Sequence, residues 1–144
     1  MTVTRENFSI TTNKTKLDVG FIHQFLTESY WAAGIPKETV VKCIEGSLCF
    51  GVFDGEKQIG FARMITDSAS FAYLADVFID AAYRGKGLSK WLMQMIMAHP
   101  DLQGLRRILL ATRDAHGLYA QLGFTPLTNP ERLMQIHNPG VYQQ

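Results

Sequence analysis

The chain has 144 residues, enough for one domain with a real apolar interior, and 47% of them are hydrophobic while the formal charges nearly cancel at +1. Such a balance runs against a dedicated nucleic-acid binder, which would carry a basic excess, and no apolar run approaches the ~20 residues of a membrane span. Cys43 and Cys49 show neither a disulfide framework nor a zinc spacing, and the polar start MTVTRENFSITTNK has no signal-peptide core, so the expectation is a cytoplasmic protein with free thiols and neither nucleic acid nor membrane as a partner.

FSITT reads as a short first strand. Leu17, Phe21, Ile22, Phe25 and Leu26 recur at helical spacing and predict a helix reaching about Ala33. Pro36 suits the first turn of a second helix, which runs through KETVVKCIEG to a stop at Gly46. SLCFGVF and QIGFARMIT flank the turn signal DGEK and predict a hairpin. SFAYLADVFI is apolar at nearly every position, as a strand covered on both faces would be.

A glycine-containing loop follows, and then Leu88, Trp91, Leu92, Met95 and Ile96 form one helical stripe that ends before Pro100. RRILLAT predicts another buried strand. DAHGLYAQLG predicts a short helix with Asp114 as N-cap and Gly123 as stop, and FTPL and RLMQI predict closing strands. Without repeats, low-complexity tracts or linkers, residues 1–144 read as a single domain. The element order predicts an α/β (α+β) fold with a mixed sheet, in which a meander feeds one crossover helix.

The loop IDAAYRGKGLSKWL joins glycine and positive charge at the end of an apolar strand. A P-loop fails, because Asp80 stands where its first glycine belongs and Gly87 where Ser/Thr belongs. A dinucleotide fingerprint fails because Lys90 takes the place of its third glycine. Backbone N–H groups from Gly85 to Lys90 would still lack partners at a helix start, where the dipole favours negative charge. Gly85 and Gly87 would let that backbone approach a pyrophosphate, with Arg84, Lys86 and Lys90 adding charge. The bland alternative is a helix start with solvated basic residues.

Arg84-x-x-Gly87-x-Ser89 resembles motif A of the GNAT acetyltransferases, whose pattern is Arg/Gln-x-x-Gly-x-Gly/Ala, with Ser89 as a small departure. Ala115, Leu118, Tyr119, Gly123 and Phe124 resemble motif B of the same family, about thirty residues on. The resemblance is strongest over residues 57 to 125. It implies a mainly antiparallel central sheet with helices on both faces and two strands splayed to form an acyl-CoA cleft. It also implies acetyl-CoA as co-substrate, with no metal. The donor would be held by the backbone of Val77, Phe78 and Ile79, by the loop from Arg84 through Gly85, Lys86, Gly87, Leu88, Ser89 and Lys90, and beside Asp114.

In the family the tyrosine of motif B protonates the departing thiolate, which implies Tyr119 as general acid. Its place on the stripe of Ala115, Leu118 and Leu122 also suits plain packing. Asp76, which by simple alternation shares strand parity with Leu74 and Phe78, is the candidate general base, with pairing to Arg63 an equal alternative. Glu28 and Asp67 are weaker base candidates, and an ordered water chain could replace any of them. Glu28, Tyr30 and Trp31 are candidate acceptor contacts, since the first two helices flank that site in the family. The histidines show no metal-ligand spacing.

The reading is an N-acetyltransferase acting by direct attack of a small-molecule primary amine. Its alternatives are a peptide or protein acetyltransferase and a catalytically silent acyl-CoA-binding domain. Exposed strand edges leave room for a homodimer.

Overall fold

The computed structural model describes residues 1–143. A six-stranded sheet carries β1 (Thr2–Arg5), β2 (Phe8–Thr11), β3 (Leu48–Asp54), β4 (Lys57–Thr66), β5 (Phe71–Ile79) and β6 (Arg107–Leu110) in that spatial order. Neighbours are antiparallel except for β5 and β6, which run parallel. Parallel neighbours need a crossover, and α3 (Leu88–Ala98) supplies it.

Helices cover both faces. On one, Leu88, Trp91, Leu92, Met93 and Ile96 of α3 pack with Ile10, Val52, Met64 and Leu74 of the sheet, joined by Tyr119 of α4 (His116–Ala120). On the other, Ile22 and Leu26 of α1 (Val19–Glu28) and Val40 and Ile44 of α2 (Lys37–Glu45) pack against Cys49, Phe61 and Phe78. No helix among the described residues is long and apolar enough to cross a membrane.

Four expectations need correction. FSITT is the second strand: TVTR precedes it as an edge strand with almost no buried face, and so without an apolar alternation to read. Helix α1 ends at Glu28 and does not reach Ala33. Ser29 turns the chain there, its hydroxyl donating to the Leu26 carbonyl at 2.7 Å and accepting from Ala32 N–H at 3.1 Å. Asp114 is not the cap of α4; Ala115 holds that position, and its N–H donates to Thr112 Oγ1 at 3.0 Å. FTPL and RLMQI form no strands, since the chain after Gly123 runs through irregular backbone and two short 3-10 turns.

One irregularity positions the site. On β5, Ala75 lies opposite Arg63 and Phe78 opposite Phe61, so three steps on β5 match two on β4. The extra residue is a bulge, and Asp76 sits in it with φ 56°, a left-handed conformation that aspartate tolerates better than most residues. Simple alternation is thereby broken. Leu74 belongs to the α3 side and Phe78 to the α1 side, so the shared parity expected for them does not hold. Pairing of β5 with β6 covers only Phe71 to Leu74, and from Ala75 onward the two strands part.

Candidate active site

Where β5 leaves β6, a cleft of about 620 Å³ opens between the backbone of residues 75–79, the segment after β6, α4 and the loop that follows α1. Val77, Phe78 and Ile79 line it along the β5 edge that has no strand partner. Such an edge offers main-chain donors and acceptors to an extended amide-bearing ligand.

The glycine loop closes one end. Gly85 and Gly87 adopt φ 81° and 77°, and a side chain added at either would meet nothing within 4 Å. Gly87 is the N-cap of α3, and the N–H groups of residues 85 to 90 find no acceptor among the described residues. Six consecutive free amides, at the positive end of a helix, form an anion cradle. Arg84 and Ser89 line the cleft, and Arg84 Nε donates to the Ile79 carbonyl at 3.1 Å, tying the loop to the strand end. Lys86 and Lys90 are exposed beside the cradle. Leu88 contributes only its backbone, since its side chain is core.

Tyr119 lines the cleft from α4, 9% exposed, with its ring edge-on to Phe124 at 5.9 Å. Its hydroxyl has no hydrogen-bond partner among the described residues, and no buried side-chain oxygen or nitrogen there is left unpaired, so this hydroxyl reaches the cleft. Burial, helped by the nearby Tyr30 hydroxyl, raises its pKa above the ordinary tyrosine value. Asp114 also lines the cleft, from the loop before α4.

At the other end Asp76 is held twice. Its Oδ2 accepts from Arg63 Nε at 2.6 Å, and its Oδ1 accepts from Trp31 Nε1 at 2.9 Å. Arg63 also donates to Ser47 Oγ at 3.0 Å. Burial alone would lower the Arg63 pKa, and the Asp76 carboxylate beside it lifts it instead above the usual guanidinium value. Trp31 and Tyr30 stand edge-to-face at 5.1 Å, and Phe25 packs on Trp31. These aromatics line the cleft, as does Tyr142 from the end of the chain.

The structure therefore brings together Tyr119, Asp76, the β5 edge, the glycine loop, Tyr30, Trp31 and Asp114. It does not bring in Glu28, which is exposed on α1 and accepts from Gln24. Asp67 is away from the cleft too. It caps a turn, accepting from the Ser70 hydroxyl and from the N–H groups of Ser70, Ala69 and Phe71, which together hold its carboxyl well below the usual range. Two residues escaped the sequence reading. Arg113, before α4, lays its guanidinium 3.8 Å above the Tyr30 ring and so links the two banks of the cleft; nothing in its surroundings in the sequence marks it. Tyr142 lies far from either motif.

Comparison with known proteins agrees with this geometry. Residues 45–126 match the acetyltransferase (GNAT) domain. The chain belongs to the GNAT acetyltransferase family. A crystal structure from Xanthomonas campestris pv. campestris, assigned to the GNAT acetyltransferases, superposes with a TM-score of 0.93 at 51% identity, over 95% of this chain and 97% of that one. A curated relative from Gibberella zeae, assigned to the acetyltransferases, is 29% identical over 141 residues, spanning 82% of this chain and 78% of its own length. Glucosamine-6-phosphate N-acetyltransferase from Arabidopsis thaliana shares the fold alone, with a TM-score of 0.61 at 16% identity over 91% of this chain and 97% of that one. As a GNAT protein the chain is an acyltransferase enzyme, of a family that uses acetyl-CoA.

Proposed function

We propose that this GNAT enzyme transfers an acetyl group from acetyl-CoA to the primary amine of a small molecule, by direct attack with both substrates bound. The observation that carries the reading is the cleft between β5 and β6, with free loop amides beside it and a Tyr119 hydroxyl without a protein partner on its wall. Residues 85 to 90 with Arg84 would hold the pyrophosphate, and the unpaired edge at Val77, Phe78 and Ile79 would hold the amide-bearing arm. The donor supplies a thioester, whose carbonyl carbon is open to attack by a neutral amine.

Tyr119 would then give its hydroxyl proton to the departing sulfur. Burial disfavours both the tyrosinate and the departing thiolate in the same cleft, so the proton is shared between groups shifted in the same direction. Tyr119 regains a proton from solvent, and the attacking nitrogen loses one along a base path. Both oxygens of Asp76 are engaged by Arg63 and Trp31, so its part is to hold the acceptor wall, and a role as base would run through a bridging water. Phe25, Trp31 and Tyr142 give this end an aromatic wall, which suits a small acceptor with an apolar face.

The test is thiol release from acetyl-CoA across a panel of small amines and N-terminal peptides, with the acylated product identified by mass spectrometry. Turnover of peptides alone would overturn the small-molecule reading.

A further inference from the structure

Among the described residues, one cation beside the acceptor end of the cleft has no anion. Arg63 and Asp76 cancel one another, and their bridge is the one salt bridge among those residues. Arg113 stands exposed in the loop between β6 and α4, and no carboxylate comes within ion-pair distance of it. Even Asp114, the next residue, lines the cleft without neutralising it. The N–H groups of the Arg113 side chain find no acceptor among the described residues either.

An exposed arginine usually ranges over many rotamers. Here the guanidinium rests 3.8 Å from the centre of the Tyr30 ring, in stacking contact. A stacked guanidinium is bound through its face and keeps the N–H groups in its plane for a bidentate fork to a carboxylate or phosphate. Tyr30 is itself braced, edge-to-face on Trp31, whose Nε1 reaches Asp76. The Tyr30 hydroxyl lies near enough to Tyr119 to help raise its pKa. The fork is therefore ordered in advance, near the Tyr119 hydroxyl and next to the aromatic wall of Phe25 and Trp31.

We infer that Arg113 recognises an anionic group on the acceptor, so that the substrate is a small amine carrying a carboxylate or a phosphate, a class within the small-amine reading on which this rests. Such a molecule would place its anion on the Arg113 fork, its amine toward the thioester and any apolar body on Phe25 and Trp31. The same guanidinium discriminates. An acceptor with a second cation in that position would bring like charges together, and a neutral one would gain nothing from the fork.

The test is kcat/KM with acetyl-CoA for matched acceptors that differ in one group: leucine and leucinamide, phenylalanine and phenylalaninamide, phosphoethanolamine and ethanolamine. The wild type is expected to favour the anionic member of at least one pair by ~10-fold or more, and the pair in which it does so tells carboxylate from phosphate. Arg113→Gln should lower that anionic-to-neutral ratio by about 10–100-fold, through the KM of the anionic member. Arg113→Lys keeps the charge without the fork, and should restore the ratio only in part. A mere latch between the banks of the cleft would lower both members alike, so an unchanged ratio in Arg113→Gln overturns the inference. An unchanged ratio with weaker CoA binding by calorimetry also overturns it, and moves Arg113 to the donor. A wild type that turns over small amines but favours the anionic member of no pair overturns it too, while the small-amine reading stands. Turnover of peptides alone removes both.

Discussion

Arg63 Nε donates to Asp76 Oδ2 at 2.6 Å across the bulge of β5, and the two side chains are only 14% and 9% exposed. The pair is therefore withdrawn from water, and breaking it leaves a buried guanidinium without its counter-charge. Asp76→Asn keeps the volume and the tolerance for a left-handed backbone while removing the charge. Urea unfolding should show a loss of about 3 kcal/mol. A loss under about 0.5 kcal/mol, the size of an exposed pair, would mean that solvent screens this one.

Tyr119→Phe tests the acid. The hydroxyl has no protein partner, so stability should stay within about 0.5 kcal/mol of wild type. Turnover should fall by ~10²–10⁴-fold. Acetyl-CoA affinity should barely move, because the proton matters in the transition state. Steady-state kinetics and thermal melts settle it together; full activity in the Phe variant removes Tyr119 from the mechanism.

The raised pKa of Tyr119 sets a pH window. Burial and Tyr30 disfavour its anion, so it stays protonated past the ordinary value of ~10. A group raised in the folded state contributes its stability in full below the unfolded pKa, and that stability fades as pH climbs through the folded one. Neither stability nor the acid should therefore be lost on its account below pH ~10. In a pH profile of kcat, an alkaline fall centred near 8 that vanishes in Tyr119→Phe would contradict this.

The anion cradle predicts ionic binding. Arg84→Gln/Lys86→Gln should weaken CoA by about tenfold or more and flatten the salt dependence that remains, since two charges beside the free amides are gone. Calorimetry at low salt gives the answer. Equal affinities would place the phosphates elsewhere.

Gly87 separates folding from binding when two replacements are compared. Its φ of 77° penalises a β-branched residue although nothing stands within 4 Å, so Gly87→Val should melt earlier even without ligand. Asn accepts this conformation more readily, and Gly87→Asn should stay within about 1 kcal/mol of wild type while its side chain screens the cradle. Thermal melts paired with CoA titration should therefore show lost affinity in both variants and lost stability in Val alone. Unimpaired CoA binding by Gly87→Asn would count against the cradle.

What could be read from the sequence follows from the range of each interaction. α3 and its glycine start were legible because the stripe from Leu88 to Ile96 and the glycines are local signals. β3, β4 and β5 were legible because their apolar runs are bounded by turns. The bulge was not, since an extra residue on β5 exists only relative to its pairing with β4. Asp76 was visible as an intruding carboxylate, and Arg63 could be named as its partner; the second bond, to Trp31, joins residues 45 apart in the chain and needs the finished fold. RLMQI has strand character, yet a strand also needs an edge to pair with, and the described chain keeps that segment away from one.

The bulge at Asp76 sits where one strand serves two cores. Leu74 feeds the α3 side and Phe78, four residues on, feeds the α1 side, stacked at 3.8 Å on Phe25. Removing one residue at position 76 would restore simple alternation. Phe78 and Ile79 would keep their present faces, because with residue 76 gone Phe78 lies three steps from Leu74, and positions 75 and 78 would still pair with Arg63 and Phe61. What the deletion would remove is the local bend, together with the carboxylate that meets Arg63 and Trp31. The acceptor end of the cleft hangs, in this sense, on one inserted residue that the packing on either side of the sheet does not need.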